Sequence, residues 1–373
     1  MKVAPTAPNG DADALASIET PYLMVDLGRM DAAIADMAGS LAARGVALRP
    51  HAKTHKSLEV ARRQLAAGAV GLTVATIGEA ELFADGGFDD LFIAYPLVPI
   101  GAKGARLRAV AERIRLSVGI DSPTGAEAVA DALGPAAETT SVLIEVDSGG
   151  RRSGAAPGDV ASVAKVAARR GLRVVGVFTH GGHGYDGPEA KEAAAADEVR
   201  ALTDAAAGLA SVGIEPRVVS AGSTPTAVMS ARGAVTEERP GTYVFGDRQQ
   251  VALGSIRPDA VAAAVVATVV SVNRAQRRFV VDAGAKTLSK DVAPYLAGHG
   301  EIPALGGQAI ARLSDHHGAV DVASGDPMPE VGQVVAVLPN HICPVVNLFD
   351  SFAVFTDGQP TATWRVDARG RNS

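Results

Sequence analysis

The sequence predicts an α/β protein, a (β/α)8 TIM barrel followed by a C-terminal, mostly β domain. Three observations predict it. From about residue 22 to 222, short β-branched runs alternate with alanine-rich helical stretches, as parallel strands joined by crossover helices do. The runs in that region number eight, the count that closes a barrel. After about residue 248 the alternation stops, and strand-like segments follow with Gly, Pro and Asp between them.

Each element has its own local reason. The candidate barrel strands are 22–26, 46–51, 71–76, 90–95, 115–120, 141–147, 173–180 and 217–221, runs of Val, Ile, Leu, Tyr and Phe bounded by turn formers. Amphipathic stretches at 28–43, 102–113, 156–170 and 189–212 supply helices between them. A doubly wound open sheet is the alternative, but it normally stops at about five or six strands. Residues 261–272, 278–282, 333–338 and 352–356 read as strands of the second domain. The predicted division is therefore a barrel over 22–248 and a β domain over 249–373, with segment 1–21 packing on the latter. A chain of 373 residues accommodates a barrel of about 250 plus a smaller domain.

Composition narrows the function classes. Apolar residues make up 47% and charged residues 20%, enough for a large core and too few charges for a disordered chain. The net charge is −6, with both signs interspersed and no basic patch for nucleic acid or an anionic membrane. No apolar run approaches the roughly 20 residues of a membrane helix. Residues 1–13 lack a basic start followed by an apolar stretch, so they do not read as a secretory signal. The single cysteine, Cys343, excludes a disulfide framework within the chain, which suits a cytoplasmic protein.

Five segments can carry chemistry. Arg49-Pro50-His51-Ala52-Lys53-Thr54-His55-Lys56 ends the second predicted strand, where barrel residues face the active-site mouth. Partial desolvation and neighbouring cations would lower the pKa of Lys53 and free its amine; a merely solvated basic loop is the alternative. Glu145 to Gly154 follows the sixth, with glycines for a tight turn and an arginine able to reach the mouth; an ordinary βα loop is the alternative. Thr179-His180-Gly181-Gly182-His183-Gly184-Tyr185 follows the seventh; its histidines could ligate metal, move protons or simply be hydrogen-bonded. Ser220-Ala221-Gly222-Ser223-Thr224-Pro225-Thr226 follows the eighth, the position where barrels hold phosphate on backbone N–H groups and a helix start. Gly241-Thr242-Tyr243 would close the same site. In Leu338-Pro339-Asn340-His341-Ile342-Cys343-Pro344, His341 and Cys343 two apart on an extended segment would share a face and offer a zinc pair. A buried cysteine beside an unrelated histidine is the bland alternative. His316-His317-Gly318, next to Asp315, is a further polar cluster.

These segments, in this order, resemble the D-threonine aldolase and D-serine dehydratase family of the alanine-racemase-like (fold type III) pyridoxal-phosphate enzymes. The resemblance spans nearly the whole chain, from Thr20-Pro21 to Arg369-Gly370. Its most specific parts are the Arg-Pro-His-Ala-Lys-Thr-His-Lys motif and Pro-Asn-His-x-Cys-Pro ending in Asn347-Leu348-Phe349-Asp350. It implies a homodimer with pyridoxal 5'-phosphate on Lys53, Arg152 near the cofactor ring and Tyr185 beside it. It implies phosphate held by Gly222, Ser223 and Thr224 with Gly241 and Thr242. His341 and Cys343 would ligate a divalent metal, zinc first, with manganese or magnesium as alternatives, and His317 would act catalytically at that site.

Two reactions share the scaffold. Dehydration removes the Cα proton and the β-hydroxyl of a D-β-hydroxy amino acid, giving a 2-keto acid and ammonia. Aldol cleavage breaks Cα–Cβ instead and gives glycine and an aldehyde. In the resemblance, aldolases carry Asp where this chain has Cys343, and a thiolate selects zinc. Cys343 therefore favours dehydration of D-serine, D-threonine or D-3-hydroxyaspartate. A racemase of the same fold would need a second base on the opposite face of the ring. A small cofactor-binding barrel without catalysis would lack the segment 249–373.

Overall fold

The computed structural model describes residue 8, residue 10 and residues 12–373. The reading of residues 1–13 as no secretory signal lies largely outside the described residues. The chain forms two compact units. One gathers the described residues up to Ala35 with Thr54–Glu59 and Thr242–Arg369; the other comprises Asp36–Lys53, Val60–Gly241 and Gly370–Ser373.

The first strand corrects the sequence reading. Strand β1 (Tyr22–Asp26) does not start the barrel. All five of its residues are buried, and it lies inside the mixed sheet of the first unit. That leaves the barrel to β2 (Ala47–Leu48), β3 (Leu72–Val74), β4 (Asp90–Pro96), β5 (Arg115–Ile120), β6 (Ser141–Glu145), β7 (Arg173–Phe178), β8 (Val218–Ala221) and β9 (Glu237–Glu238). Their order is β2-β9-β8-β7-β6-β5-β4-β3, all parallel. A parallel bridge between His51 and Thr73 joins the two edge strands and curls the sheet into a barrel. The eight-stranded count therefore holds with different membership. Strand β9 is two glutamates with no apolar run, so periodicity could not mark it.

Inside the barrel, Phe92, Leu143, Val175 and Phe178 form an apolar cluster, with the Phe92 and Phe178 rings edge to face at 5.1 Å. Parallel strands are covered on both faces, so their runs are continuous rather than alternating. The crossover helices start on local signals: Thr76 caps Ile77–Asp85 by accepting from Glu79 N–H, and Ser122 caps Pro123–Leu133 by accepting from Gly125 N–H.

The other unit is built on β1, β10 (Ala263–Asn273), β11 (Arg278–Val281), β12 (Gly300–Ile302), β13 (Gln308–Ala309), β14 (Arg312–Leu313), β15 (Gly318–Asp321), β16 (Val334–Pro339), β17 (Ser351–Thr356) and β18 (Gln359–Arg365). The main path is β13-β12-β16-β10-β1-β17-β18, with β11, β15 and β14 continuing from β10. Strand β1 runs antiparallel to β10 and parallel to β17, with Tyr22 opposite Val266 and Met24 opposite Ala353. Ala14 and Leu15 pack with Tyr22, Met24, Val266, Leu338 and Phe355 in one cluster, and Tyr22 Oη donates to Leu15 O at 3.0 Å. Residues just before β1 thus belong with this sheet.

Candidate active site

Lys53 follows β2 by five residues and lines a cavity of about 430 Å³ with His51, Tyr95, Asp121, Arg152 and Ser153. The volume falls in the range of small-ligand sites, about 300–1,000 Å³. Of the two arginines in the loop after β6, Arg152 lines this cavity. Arg151 takes a positive φ of 50° and donates its N–H to Asp147 Oδ1. Beneath the loop, burial pushes the Glu145 carboxyl up, against a Ser153 hydrogen bond and the charges of Arg152 and Arg239.

Burial first, then the charges of Lys53, Arg152 and Arg239, lower the pKa of His180 to about 3. The imidazole is therefore neutral at physiological pH. Its Nδ1 lies 3.4 Å from Gly222 O, so the proton sits on Nδ1 and Nε2 is left as an acceptor. His183 packs its ring 3.2 Å from where a Cβ on Gly149 would sit, and Gly149 has φ +124°. Only glycine lets the two loops approach this closely. His183 Nε2 also meets Asp197 Oδ2 at 3.3 Å. Tyr185 closes the 3-10 helix Gly182–Tyr185 of the same loop.

The turn after β8 holds Gly222, Ser223 and Thr224, all buried. Gly222 has φ +106°, and a Cβ there would lie 2.0 Å from Glu238 Oε2. Its N–H donates to Glu198 Oε1 at 3.0 Å, and the Ser223 and Thr226 hydroxyls are 3.0 Å apart. Gly241 is buried just past β9. Thr242, expected at the phosphate, places Oγ1 3.6 Å from Cys343 Sγ.

The wall of the barrel carries charges that patterning missed. Arg239 is buried and sits 5.3 Å and 5.8 Å from the Phe178 and Phe92 ring centres; it donates to Ser220 Oγ and to Thr179 O. Glu237 accepts from Arg49 Nε at 2.7 Å and Ser220 Oγ at 2.6 Å. Glu198 was legible in principle. It stands on the buried stripe of Ala190–Ala210, among Ala194, Ala195, Ala201, Leu202 and Ala205, where a carboxylate has no place unless something needs it.

His341 and Cys343 lie together for a different reason than the one predicted. The extended segment stops at His341, which caps the short helix Ile342–Val346 (φ −137°, ψ 116°). Cys343 is in its first turn, and Ile342 is buried behind it. His341 Nδ1 meets Asp291 Oδ2 at 2.6 Å. Burial opposes a charged imidazole, but Cys343, the Asp291 hydrogen bond and Asp247 outweigh it and hold the pKa up to about 11. The Thr54 hydroxyl lies 3.2 Å from Cys343 Sγ. The surroundings therefore call for positive charge at a soft S/N pair, with the imidazole aimed through its second nitrogen by a carboxylate, as metal-binding histidines commonly are. Among the described residues, no group of three or more His, Cys, Asp or Glu side chains converges on one metal position; the remaining ligands would be water or substrate, as in catalytic sites. His317 is exposed in the turn between β14 and β15, its neighbour His316 Nε2 3.5 Å from Lys286 Nζ.

The alanine racemase N-terminal domain family matches residues 25–249. The chain belongs to that family. A putative serine dehydratase domain follows in this alanine-racemase-like chain, over residues 262–355. The chain is 34% identical to D-threo-3-hydroxyaspartate dehydratase of Delftia sp. (strain HT23), over 94% of this chain and 98% of the relative; that enzyme's structure matches with a TM-score of 0.87. D-threonine aldolase from Arthrobacter sp. is 32% identical over 99% of this chain and 97% of its own. The structure of D-threonine aldolase from Filomicrobium marinum is 30% identical, covers 98% and 99% of the two chains and gives a TM-score of 0.87. A D-threo-3-hydroxyaspartate dehydratase with one cysteine replaced by alanine, in a metal-free form, also matches, with 34% identity and a TM-score of 0.86. No helix among the described residues is long and apolar enough to cross a membrane.

Proposed function

We propose that this pyridoxal-phosphate- and metal-dependent lyase of D-β-hydroxy amino acids is a dehydratase, releasing ammonia and a 2-keto acid from D-serine, D-threonine or D-3-hydroxyaspartate. The observation that carries the choice is the soft Cys343 thiol beside His341, which suits zinc rather than the harder ions that carboxylates prefer. The metal-free form of a D-threo-3-hydroxyaspartate dehydratase variant lacking one cysteine supports a metal in that relative. When bound, the cofactor ring takes up the electron pair left at Cα, and the metal acts as a Lewis acid on the β-hydroxyl.

The chain's own groups do the rest. Lys53 holds the cofactor and moves the Cα proton; a single amine on one face favours one enantiomer. Arg152 lies at the same cavity, and Glu145 below it holds the loop's charge balance. Neutral His180 keeps an acceptor nitrogen among three cations without adding a fourth charge. Ser223 and Thr224 take the phosphate at the helix start, with Gly222 shaping the turn, Gly241 and Thr242 beyond it, and Tyr185 beside the ring. His341 and Cys343 hold the metal, Asp291 fixes the imidazole, and the Thr54 and Thr242 hydroxyls stand by the sulfur. His317 acts at the same site. The working form is a cytoplasmic homodimer.

Incubation of zinc-loaded protein with D-threonine tests the reaction. 2-Oxobutyrate with ammonia is expected. Glycine with acetaldehyde overturns it and shows that a cysteine ligand does not exclude aldol cleavage. D-Serine and D-3-hydroxyaspartate, assayed for pyruvate and oxaloacetate, rank the substrates.

A further inference from the structure

We propose that Glu198 and Glu238 share a single proton, and that the resulting singly charged pair sets the Gly222 turn, making both positioning residues for the phosphate end of the cofactor. Glu198 is fully buried. Its Oε1 accepts Gly181 N–H at 2.8 Å and Gly222 N–H at 3.0 Å, so one oxygen ties the loop after β7 to the loop after β8. Glu238, on β9, is also fully buried. Its Oε1 accepts from Ser230 Oγ at 2.7 Å, and its Oε2 closes on Gly222 from the other side, 2.0 Å from where a Cβ would stand. The second oxygen of each acid, Glu198 Oε2 and Glu238 Oε2, is buried without a hydrogen-bond partner. Glu198 Oε2 lies 2.7 Å from where a Cβ on Gly181 would stand and Glu238 Oε2 2.0 Å from one on Gly222, so each acid brings one oxygen short of a hydrogen to these two adjoining turns.

Charge points the same way. The groups bearing on Glu198 include the two amides, the Thr226 hydroxyl, Arg239 and Glu238 itself. Those facing Glu238 are Glu198, Ser230, Arg239 and Glu237. Among the described residues, Arg239 is the cation that weighs most on both, and its N–H groups go to Ser220 and Thr179. Arg49 is held by Glu237 and Asp90. Two adjacent buried carboxylates with so little compensation do not both ionise. Glu198, with two amides and a hydroxyl donating, keeps the charge, and Glu238 carries the proton. Burial and the neighbouring Glu198 raise Glu238 well above the carboxylate range, in accord with that assignment. A pair bearing one negative charge rather than two also repels a nearby phosphate less.

The inference rests on reading residues 222–224 as the phosphate turn, and the experiment separates the two ideas. Thermal unfolding of the cofactor-free protein is followed against pH for wild type, E238Q and E198Q, and affinities for pyridoxal phosphate and pyridoxal are measured. The pair's folded pKa lies above its unfolded value of about 4.3. Its stability contribution is therefore complete at low pH and is lost as pH rises through the folded pKa. Wild type is expected to show that loss as pH rises above about 4.3. E238Q, whose amide supplies the hydrogen permanently, is expected to lack it and to bind pyridoxal phosphate within about threefold of wild type at neutral pH. E198Q repeats the comparison, because its amide oxygen still accepts the two N–H groups and its NH2 donates to an ionised Glu238. Identical pH profiles in wild type and variants overturn the shared proton. So does failure of both variants to fold, since one amide supplies the same hydrogen. Equal wild-type affinity for pyridoxal and pyridoxal phosphate would remove the phosphate reading while leaving the pH comparison standing.

Discussion

Replacing Gly222 with alanine tests the phosphate turn most directly. At φ +106° an alanine leaves its allowed regions, at a cost of roughly 1–2 kcal/mol. The new methyl would sit 2.0 Å from Glu238 Oε2 and 3.1 Å from Arg239 N. The amide is backbone and cannot swing aside, and Glu238 can retreat only by giving up Ser230. Forcing a methyl into packed surroundings costs about 1–3 kcal/mol more, so the sum is roughly 2–5 kcal/mol. Part of that will appear as a displaced turn rather than lost stability. The assay is therefore double: thermal unfolding of the cofactor-free protein, and cofactor affinity by the visible absorbance of the bound form. A lower unfolding temperature and at least tenfold weaker cofactor binding, about 1.4 kcal/mol, are expected. Gly182→Ala is the control, because its Cβ would meet only the His180 ring at 3.6 Å and beyond; a change within about 0.5 kcal/mol is expected there. Wild-type behaviour in G222A, or equal damage in both variants, would refute the reasoning.

Further outcomes follow from the same geometry. Lys53→Ala should abolish the visible absorbance of bound cofactor, and a surviving band would remove Lys53 from that role. Cys343→Ala should lose zinc and activity together, checked by metal analysis; an active, metal-free variant would make the thiol structural. Cys343→Asp should shift preference from zinc toward manganese, read by competition between the two ions, and an unchanged preference counts against ligand softness. Because His341 holds its proton up to about 11 in the metal-free protein, a metal must displace that proton. Affinity should therefore rise about tenfold per pH unit between about 6.5 and 8.5; a flat dependence in metal-buffered titrations would show that the imidazole is already free.

What the sequence made legible depended on how each feature writes itself. Strands β4 to β8 are apolar runs between helices and could be placed from periodicity. Strand β9 could not, because Glu237 and Glu238 work by hydrogen bonds inside the barrel and carry no hydrophobic signal. Strand β1 was visible as a strand but not as a member of the other sheet, since its five buried residues look the same in either core. Motif residues such as Lys53 and His341 stand out by type and neighbours. Arg239, Asp291 and Glu198 act through partners far away in the chain, and Asp291 in particular lies in a plain loop 50 positions before His341. The helix at Ile342–Val346 defeated the alternation argument for His341 and Cys343, because Pro344 near a helix start suits its first turn and converts the two-residue spacing into a cap geometry.

The placement of β1 has a consequence for synthesis of the protein. Its partners are Val266 and its neighbours on one side and Ala353 and its neighbours on the other. The ribosome, at about 5–20 residues per second, delivers the first of these roughly 10–50 s after β1 emerges. Throughout that interval Leu23, Met24 and Val25, all fully buried in the finished protein, form an orphan apolar strand with both edges open, a template for wrong pairing. A chain cut after the barrel would keep that orphan for good. Expression of the barrel alone should accordingly begin after β1, and in the complete chain this strand is the place where a chaperone has most to protect.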